Sequence, residues 1–429
     1  MLALLAGTLA AGPAFPGDWE RDGLKLVNRQ ADFEIGLIGY LQFHGRHYAG
    51  WESADPVSKP LRETLDVRRA RPGLELGWRK LSAEWDFEWA GPANELLNLG
   101  EPPYDTAEMK DLKLRYEFHE TLALTGGHFK IPVSPEFLTS SRKTDFVERS
   151  MLANSIGVDR EWGLMASGEV WKKRLEYSAG VFEGDGRLTD TRAGTTFAAR
   201  LVGKATEALS IAGSFSTGDV EADPDGPGDD PSPKGFEGRS PTGFRFYERK
   251  YVDGRRLRWG LDAALTRGSW SVKGEWLQGR EERRGQSSTF TDLPVQVASG
   301  WSFTASWILT GEKKARTLEP ERSLPRGPGL VELAARYEEI RFDDAGPDAG
   351  FEGAGDRARN IRPGGNRVIW GGVSWLPTPF MRLYADVLVE RYLDPLLAPE
   401  PPGSSDLGHA PHGRGNYVTF IARLQFMVP

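Results

Sequence analysis

Short segments in which apolar and polar side chains alternate recur from Phe33 to the end of the chain. Examples are LRWGLDAAL at 257–265, MRLYADVLVERY at 381–392 and YVTFIARLQFMV at 417–428. In the last, Val418, Phe420, Ala422, Leu424, Phe426 and Val428 share one face, while Thr419, Arg423 and Gln425 take the other with Tyr417 and Ile421. A period of two is the signature of β-strands. Many of these faces carry aromatic residues on the apolar side and Arg, Lys, Asp or Glu on the polar side, the pattern of a barrel with lipid outside and water inside.

The chain has 429 residues, 39% hydrophobic and 27% charged, with mean hydropathy -0.46. No stretch approaches the run of about eighteen apolar residues that marks a membrane helix. Membrane insertion must therefore use strands, and backbone polar groups cannot go unpaired in hydrocarbon, which leaves a closed barrel. Cysteine is absent, which excludes disulfide scaffolds, thiol catalysis and cysteine zinc sites and suits an exported chain. With 54 basic and 61 acidic residues the net charge is -7, against a nucleic-acid partner, which would need clustered positive charge. Residues 1–32 form one unit of the expected organisation and 33–429 the barrel. The start, MLALLAGTLAAGPAFPGDWE, is similar to the hydrophobic and cleavage regions of a signal peptide, with small residues at Ala11 and Ala14 and no basic leader. A start placed too late is the expectation, and a plain disordered N-terminus the alternative.

Alternation and chain breakers place sixteen strands, near 33–49, 63–77, 80–90, 108–118, 121–131, 161–171, 174–183 and 194–205, then 208–218, 256–267, 269–280, 298–312, 329–343, 364–376, 379–391 and 416–428. Tight turns fall at His119–Glu120, Lys172–Lys173, Thr206–Glu207, Gly268–Ser269 and Pro377–Thr378, with longer connections between them, as short periplasmic turns alternate with long external loops. One connection breaks the rule: 313–328, KKARTLEPERSLPRGP, is long although parity assigns it to the turn end. Face assignment puts Leu257, Trp259, Leu261, Ala263 and Leu265 toward lipid and Arg256, Arg258 and Asp262 toward the lumen. Likewise Phe197, Ala199 and Leu201 face out with Arg200 and Lys204 inward, and Leu112, Leu114, Tyr116 and Phe118 oppose Lys113, Arg115 and Glu117. Glu75, Glu176, Glu275, Asp386 and Glu390 also read as lumen-facing. Periodicity alone fits equally a soluble sandwich, in which the apolar face is turned inward.

The segments ETLDVRRARPGLELG at 63–77 and GGHFKIPVSPEFLTSSRKTDFVERSMLANSIGVDREWGLMASG at 126–168 resemble the phosphate-selective porin family of Gram-negative outer membranes. YSAGVFEGDG at 177–186, SWILTGE at 306–312, VELAARYEEIRF at 331–342, NIRPGGNRV at 360–368 and WGGVSWLPTPFMRLYAD at 370–386 extend the resemblance over about 33–428. It implies a transmembrane antiparallel up-and-down β-barrel of sixteen strands, a homotrimer in outer-membrane lipid and lipopolysaccharide, with a constriction loop folded into the pore. By matching segments, 132–160 is that loop, and Lys130, Arg142, Lys143, Arg149 and Arg160 are its basic candidates for small anions such as phosphate. Arg69 and Arg71 resemble the family's arginine strand. The basic track on the lumen faces is Lys113, Arg115, Arg200, Lys204, Arg256 and Arg258. Two departures stand out: the chain ends FMVP rather than in an aromatic residue, with Phe426 three residues early, and the lumen and loops are rich in carboxylates.

Such a pore needs no covalent chemistry or cofactor; diameter and charged side chains set its selectivity. Arginine suits an anion track because its planar fork stays charged and offers several donors. Arg–carboxylate pairs that merely brace the wall are the alternative reading of any one lumen arginine. His44 with His47, and His409 with His412, are three apart in strand-end or loop contexts without cysteine, so no metal site is expected. The acidic run DVEADPDGPGDD at 219–230 lacks the ordered calcium-loop pattern. No HExxH, P-loop, dinucleotide or nucleophile-elbow motif occurs, and no enzymatic activity is expected. Trp162, Trp171, Tyr177, Trp259, Trp270, Trp276, Trp301, Trp307, Trp370, Trp375 and Tyr384 are expected near strand ends or on outer faces, as an aromatic girdle. The functional expectation is a water-filled outer-membrane channel for small hydrophilic solutes, anion-preferring. A non-conducting or assembly-associated barrel is the alternative, and a soluble glycan-binding β protein a more distant one.

Overall fold

The computed structural model describes residues 19–22, 24–49, 63–97, 99, 107–157, 159–184, 194–220, 234–247, 249–286, 290–344, 364–393 and 416–428. The alternating segments form sixteen antiparallel strands: β1 (Phe33–Ala49), β2 (Glu63–Trp78), β3 (Leu81–Glu88), β4 (Glu108–His119), β5 (Leu122–Lys130), β6 (Arg160–Val170), β7 (Leu175–Phe182) and β8 (Thr196–Lys204). The circuit continues with β9 (Leu209–Val220), β10 (Gly254–Arg267), β11 (Trp270–Arg283), β12 (Leu293–Ile308), β13 (Leu330–Asp344), β14 (Gly364–Thr378), β15 (Met381–Tyr392) and β16 (Tyr417–Met427). Each strand pairs with its sequence neighbours, and β16 pairs with β1 from Val418 opposite Ala49 to Met427 opposite Tyr40. That last pairing closes the barrel. Below the end of β16, a hairpin of Trp19–Asp22 and Lys25–Asn28 pairs with Phe33–Gly36 and continues the wall.

The faces divide as the alternation requires. Leu261 is 61% exposed, and Leu114, Leu201, Phe303, Ile369 and Phe420 are exposed around the circumference. The intervening residues, among them Arg200, Glu275, Arg336, Asp386 and Arg423, are buried inside. A soluble sandwich would show the reverse, so the apolar surface is the lipid-facing one. Trp78, Phe118, Trp171, Trp270, Trp307 and Phe380 are exposed at the turn end, where Trp270 and Trp307 stack at 4.8 Å. The aromatic expectation fails for Trp370 and Tyr384, which point inward and are 1% and 3% exposed. They sit on inward registers of β14 and β15 and pack against an inserted loop, with Trp370 Nε1 donating to Glu338 at 2.8 Å.

Strand limits follow the alternation closely, with one visible offset. The strand expected at 298–312 runs from Leu293 to Ile308, because the outward series Trp301, Phe303, Ala305 and Trp307 ends where Gly311 takes a positive φ of 98°. Residues 309–329 then form the long connection at the turn end, so the parity exception is real.

A second irregularity lies in β2. Gln42 pairs with Arg69 and Phe43 with Val67, which leaves Arg68 as the extra residue of a β-bulge. Consecutive arginines thereby reach the same side. Pairing between β2 and β3 starts only at Gly73 opposite Asp86, so the upper half of β2 lacks a strand on that flank. Helix α1 (Ala90–Leu97) covers Val67 and Ala70 there, and Asn94 makes two bonds to Val67, accepting from its N–H at 2.7 Å and donating to its C=O at 2.9 Å. Glu88 accepts the Ala70 N–H at 2.7 Å. Side chains thus supply what the missing ladder would, as the low dielectric demands.

The inside-out arrangement predicts depth-dependent costs. Leu261→Arg, halfway along β10, should destabilise the barrel by about 2–4 kcal/mol, whereas Phe118→Arg, beside a turn, should cost about 0–1 kcal/mol. Denaturant-driven unfolding from lipid vesicles measures both, and equal costs would contradict the assigned membrane position.

Candidate functional site

Residues 131–159 leave β5 at the long-loop end and turn into the barrel. Ser134 caps helix α2 (Pro135–Leu138) by accepting the Phe137 N–H at 3.3 Å, and Ser150 caps helix α3 (Met151–Ser155) by accepting the Ala153 N–H at 3.2 Å. Between the helices the chain dips to the turn end. There Arg142 Nη1 donates to the Val428 carbonyl at 2.7 Å, and Gln425 Nε2 donates to the Arg142 carbonyl at 3.0 Å. Three carboxylates fasten this loop to the wall. Glu136 pairs with Arg336, Asp145 meets Lys273 and Lys314 at 2.7 Å each, and Glu148 is held by Arg68 at 2.7 Å, Arg69 at 2.8 Å and Arg423 at 3.6 Å. Phe146, Val147, Met151, Leu152 and Ile156 then pack on Trp370, Tyr384, Ile340 and Val368 from the wall. This dry contact inside the barrel fixes the loop as a core would.

The seven constriction candidates fall into two groups. Arg69, Arg71, Lys130, Arg149 and Arg160 converge: Arg69, Arg71 and Arg160 are charge neighbours of Arg149, and Arg149, Arg160 and Arg71 are those of Lys130. Within this cluster Arg71 pairs with Glu88 at 2.7 Å and Arg160 with Asp111 at 2.7 Å, while Arg69 uses Glu148. Arg149 and Lys130 differ. Arg149 donates to the carbonyls of Glu136 at 3.1 Å and Thr139 at 2.7 Å, and Lys130 to those of Leu138 and Thr139 at 3.2 and 3.3 Å. Among the described residues neither has a carboxylate in ion-pair reach. Both lie over the ring of Phe137, and the Tyr40 hydroxyl beside Arg71 has no partner. The second group, Arg142 and Lys143, lies apart at the turn end, with Lys143 Nζ donating to Thr317 Oγ1 at 2.6 Å.

The six residues of the basic track are all paired. Lys113 meets Glu84 at 2.7 Å, Arg115 meets Glu117 at 3.6 Å, and Arg200 makes a two-pronged contact with Asp262 at 2.6 and 2.9 Å. Lys204 pairs with Glu176, and Arg256 and Arg258 share Glu281 at 2.7 and 3.8 Å. The track is a charge-compensated ladder rather than a naked one.

The lumen is filled unevenly. At the turn end Glu332 on β13 is 1% exposed beneath the inserted loop, whereas Lys113 and Glu84 on β4 and β3 are 31% and 34% exposed. Exposure inside the barrel is thus low where the inserted loop covers β13 and higher at the Lys113–Glu84 pair. A second inward segment, 234–247 with 249 and 250, lies in the connection between the strands that alternation places at 208–218 and 256–267, and alternation gives no sign of it. Its Phe236, Phe244, Phe246 and Tyr247 are buried against Phe342, Tyr392 and the barrel wall, and Thr242 Oγ1 donates to Glu390 at 3.0 Å. The aromatic run in GFEGRSPTGFRFYERK was the available signal, since a solvated loop does not concentrate phenylalanine. Arg68 was also missed; two consecutive arginines in a membrane strand require a bulge, because otherwise one meets lipid.

Metal chemistry finds little footing. His44 and His47 lie on opposite faces of β1, with His44 accepting from Arg423 Nε at 2.6 Å inside and His47 half exposed outside. His409, His412 and most of the acidic run 219–230 lie outside the described residues. Oxygens of Glu84, Asp86 and Asp111 come within 4.8 Å of one another, but Lys113 and Arg160 already neutralise two of the three.

The residues of two segments, 42–226 and 242–400, match the family model for phosphate-selective porin O and P. The chain belongs to the phosphate-selective porin O and P family. It is an outer-membrane porin of Gram-negative type, a channel for small hydrophilic solutes. No curated protein sequence matches it. Solved structures similar to this porin include an anion-selective porin from Comamonas acidovorans, 12% identical with a TM-score of 0.56 over 92% of this chain and 100% of that one. The outer-membrane channel DcaP of Acinetobacter baumannii is 9% identical, with a TM-score of 0.55 over 92% and 98%. A trimer form of OmpT from Vibrio cholerae is 10% identical, with a TM-score of 0.53 over 92% and 99%. At such identities these likenesses bear on the barrel fold.

Electrostatics of the porin's inserted loop have a definite pH sense. Burial would raise the Asp145 carboxyl, but Lys273 and Lys314 outweigh it and hold it well below the usual range; Arg68, Arg69 and Arg423 do the same for Glu148. Burial and the neighbouring Arg69 and Arg71 push the Arg149 guanidinium down to about 10, so it remains charged at neutral pH. Depressed carboxyl values contribute to loop docking fully above the ordinary carboxylate pKa, about 4, and lose it only as pH falls below that through the docked values. Amide exchange over 140–148, corrected for its intrinsic pH dependence, should therefore show equal protection at pH 7 and pH 5 and increasing exposure below about pH 4. Protection unchanged from pH 5 down to about pH 2 would show that the two carboxylates are not the anchors.

Proposed function

We propose that this porin is a passive, anion-preferring channel in which the loop 131–159 forms the constriction, and that it works as a homotrimer in contact with outer-membrane lipid and lipopolysaccharide. The observation that carries this reading is the imbalance at the loop. Arg149 and Lys130 converge with Arg69, Arg71 and Arg160, and their N–H groups are spent on carbonyls rather than on carboxylates. Uncompensated positive charge inside low-dielectric walls raises the local anion concentration. The anion-selective relative and the trimer form of OmpT support the same class of pore and assembly.

Weak binding suits conduction, because a single deep well would trap the ion. The charge-compensated ladder Lys113–Glu84, Arg200–Asp262 and Lys204–Glu176 keeps wells shallow along the approach. Arg142 and Lys143 form a second positive station at the turn end. Small inorganic and organic anions are the substrate class, phosphate among them.

In planar bilayers with a potassium chloride gradient, the wild-type porin should show an anion-to-cation permeability ratio above one. Neutralising Arg142, Lys143 and Arg149 together with glutamine should lower that ratio several-fold, toward or past unity. Arg149→Gln with Lys130→Gln, compared with Arg142→Gln with Lys143→Gln, tells which group sets the preference. An unchanged ratio in the triple variant would reject the constriction, and inhibition of chloride current by phosphate would measure its preference among anions.

A further inference from the structure

The connection 309–329 is long where every other described turn-end connection is short, and its course is fixed. Lys314 N–H donates to the Gly268 carbonyl at 2.8 Å, and Leu324 N–H to the Pro377 carbonyl at 2.9 Å, so the segment lies across two neighbouring turns. From there the Lys314 side chain enters the barrel and is 7% exposed. Its Nζ lies 2.7 Å from Asp145 Oδ1 on the inserted loop and also bonds Glu332 on β13. Glu332 in turn accepts from Arg382 Nη2 at 3.0 Å, and Asp145 from Lys273 Nζ at 2.7 Å. Three residues beyond Lys314, Thr317 receives the Lys143 bond.

We propose that Lys314 is a positioning residue for permeation: the turn-end connection is a brace that sets where the lower arm of the constriction loop stands, and hence the bore of the pore. The inference rests on reading 131–159 as the constriction. An exposed ion pair would be worth too little to hold a loop. This one is buried, and removing the ammonium leaves two carboxylates, Asp145 and Glu332, facing each other with one cation fewer, which buried charges do not tolerate. Nor is the lysine needed to join the strands, since β12 and β13 pair down to Ile308 opposite Glu332 without it. Its contact with Asp145 reaches the loop, and the loop is what its loss would release.

The experiment is single-channel recording on the whole reconstituted porin. Lys314→Met should give a several-fold rise in open-channel current noise, a spread of conductance levels and closure at lower voltage, while gel mobility before and after heating still reports a folded barrel. Lys314→Arg should restore a single quiet level. Asp145→Asn should reproduce the noise, and combining it with Lys314→Met should add little, because both remove the same joint. Wild-type noise in a folded Lys314→Met porin, or fully additive effects in the double variant, would overturn the brace. Should Lys314→Met fail to assemble, Asp145→Asn is read alone, since it removes the loop side of the same joint; increased noise supports the brace and wild-type noise overturns it. Noise is read in any salt, whereas the anion preference is read from the reversal potential, so the two proposals fail separately.

Discussion

Backbone N–H and C=O groups have no partner in hydrocarbon, and everything else in this porin is arranged around that fact. The ladder must close, which is why β16 returns to β1 over most of its length. Where it opens, side chains take over. The upper half of β2 has lost its neighbour on one flank, and Asn94 from α1 and Glu88 from β3 supply the acceptors and donors that β3 would have offered. The bulge at Arg68 belongs to the same region. Its cost in ladder bonds is offset by placing two adjacent guanidiniums on the Glu148 carboxylate.

Closure with sixteen strands creates the next problem, because wall side chains cannot fill so wide an interior. The inserted loop and the 234–250 segment bring their own apolar cores, so the lumen contains a packed interior as well as water. Charges on the covered wall would be stranded by that packing. They are rescued by loop carboxylates: Glu136 serves Arg336, Asp145 serves Lys273 and Lys314, and Glu148 serves Arg68, Arg69 and Arg423. Loop and wall thus specify each other.

Much of this was legible in the sequence, and the reason is the strictness of the period. A one-residue slip exchanges lipid and lumen faces, so Leu257–Leu265, Leu112–Phe118 and Phe197–Lys204 could be sorted by residue type alone. What the period does not carry is what an inward residue touches. Trp370 and Tyr384 have the size that suits a membrane interface, yet their registers are inward and the partner that buries them comes from a loop distant in sequence. The resemblance located the segment that enters the barrel and the strand that carries Arg69 and Arg71. It did not separate Arg149 from Arg142, because that division depends on how far the loop descends between α2 and α3. Helix α1 lay in an expected loop, since its helical pattern is only eight residues long. The pairing of the basic track was likewise hidden: Arg200 and Asp262 are 62 positions apart and meet only across the intervening strand β9.

A net charge of -7 does not contradict the proposed anion preference once compensation is considered residue by residue. Paired cations such as Arg200 and Lys113 contribute mainly dipoles, whose field falls off quickly and whose role is to hold the wall in shape. In the proposed channel, sign is set by the charges left over beside the inserted loop. There the loop places Arg149 and Lys130 against carbonyls, while Arg71 and Arg160 each meet a carboxylate and Arg69 shares Glu148 with Arg68 and Arg423. Removing a paired arginine would expose its carboxylate and reverse the local sign, whereas removing an unpaired one only lowers the potential. In the proposed channel the carboxylates of the lumen are therefore part of the selectivity: they cancel much of the wall's charge, so that the cations in excess around the loop decide which ion the field draws in.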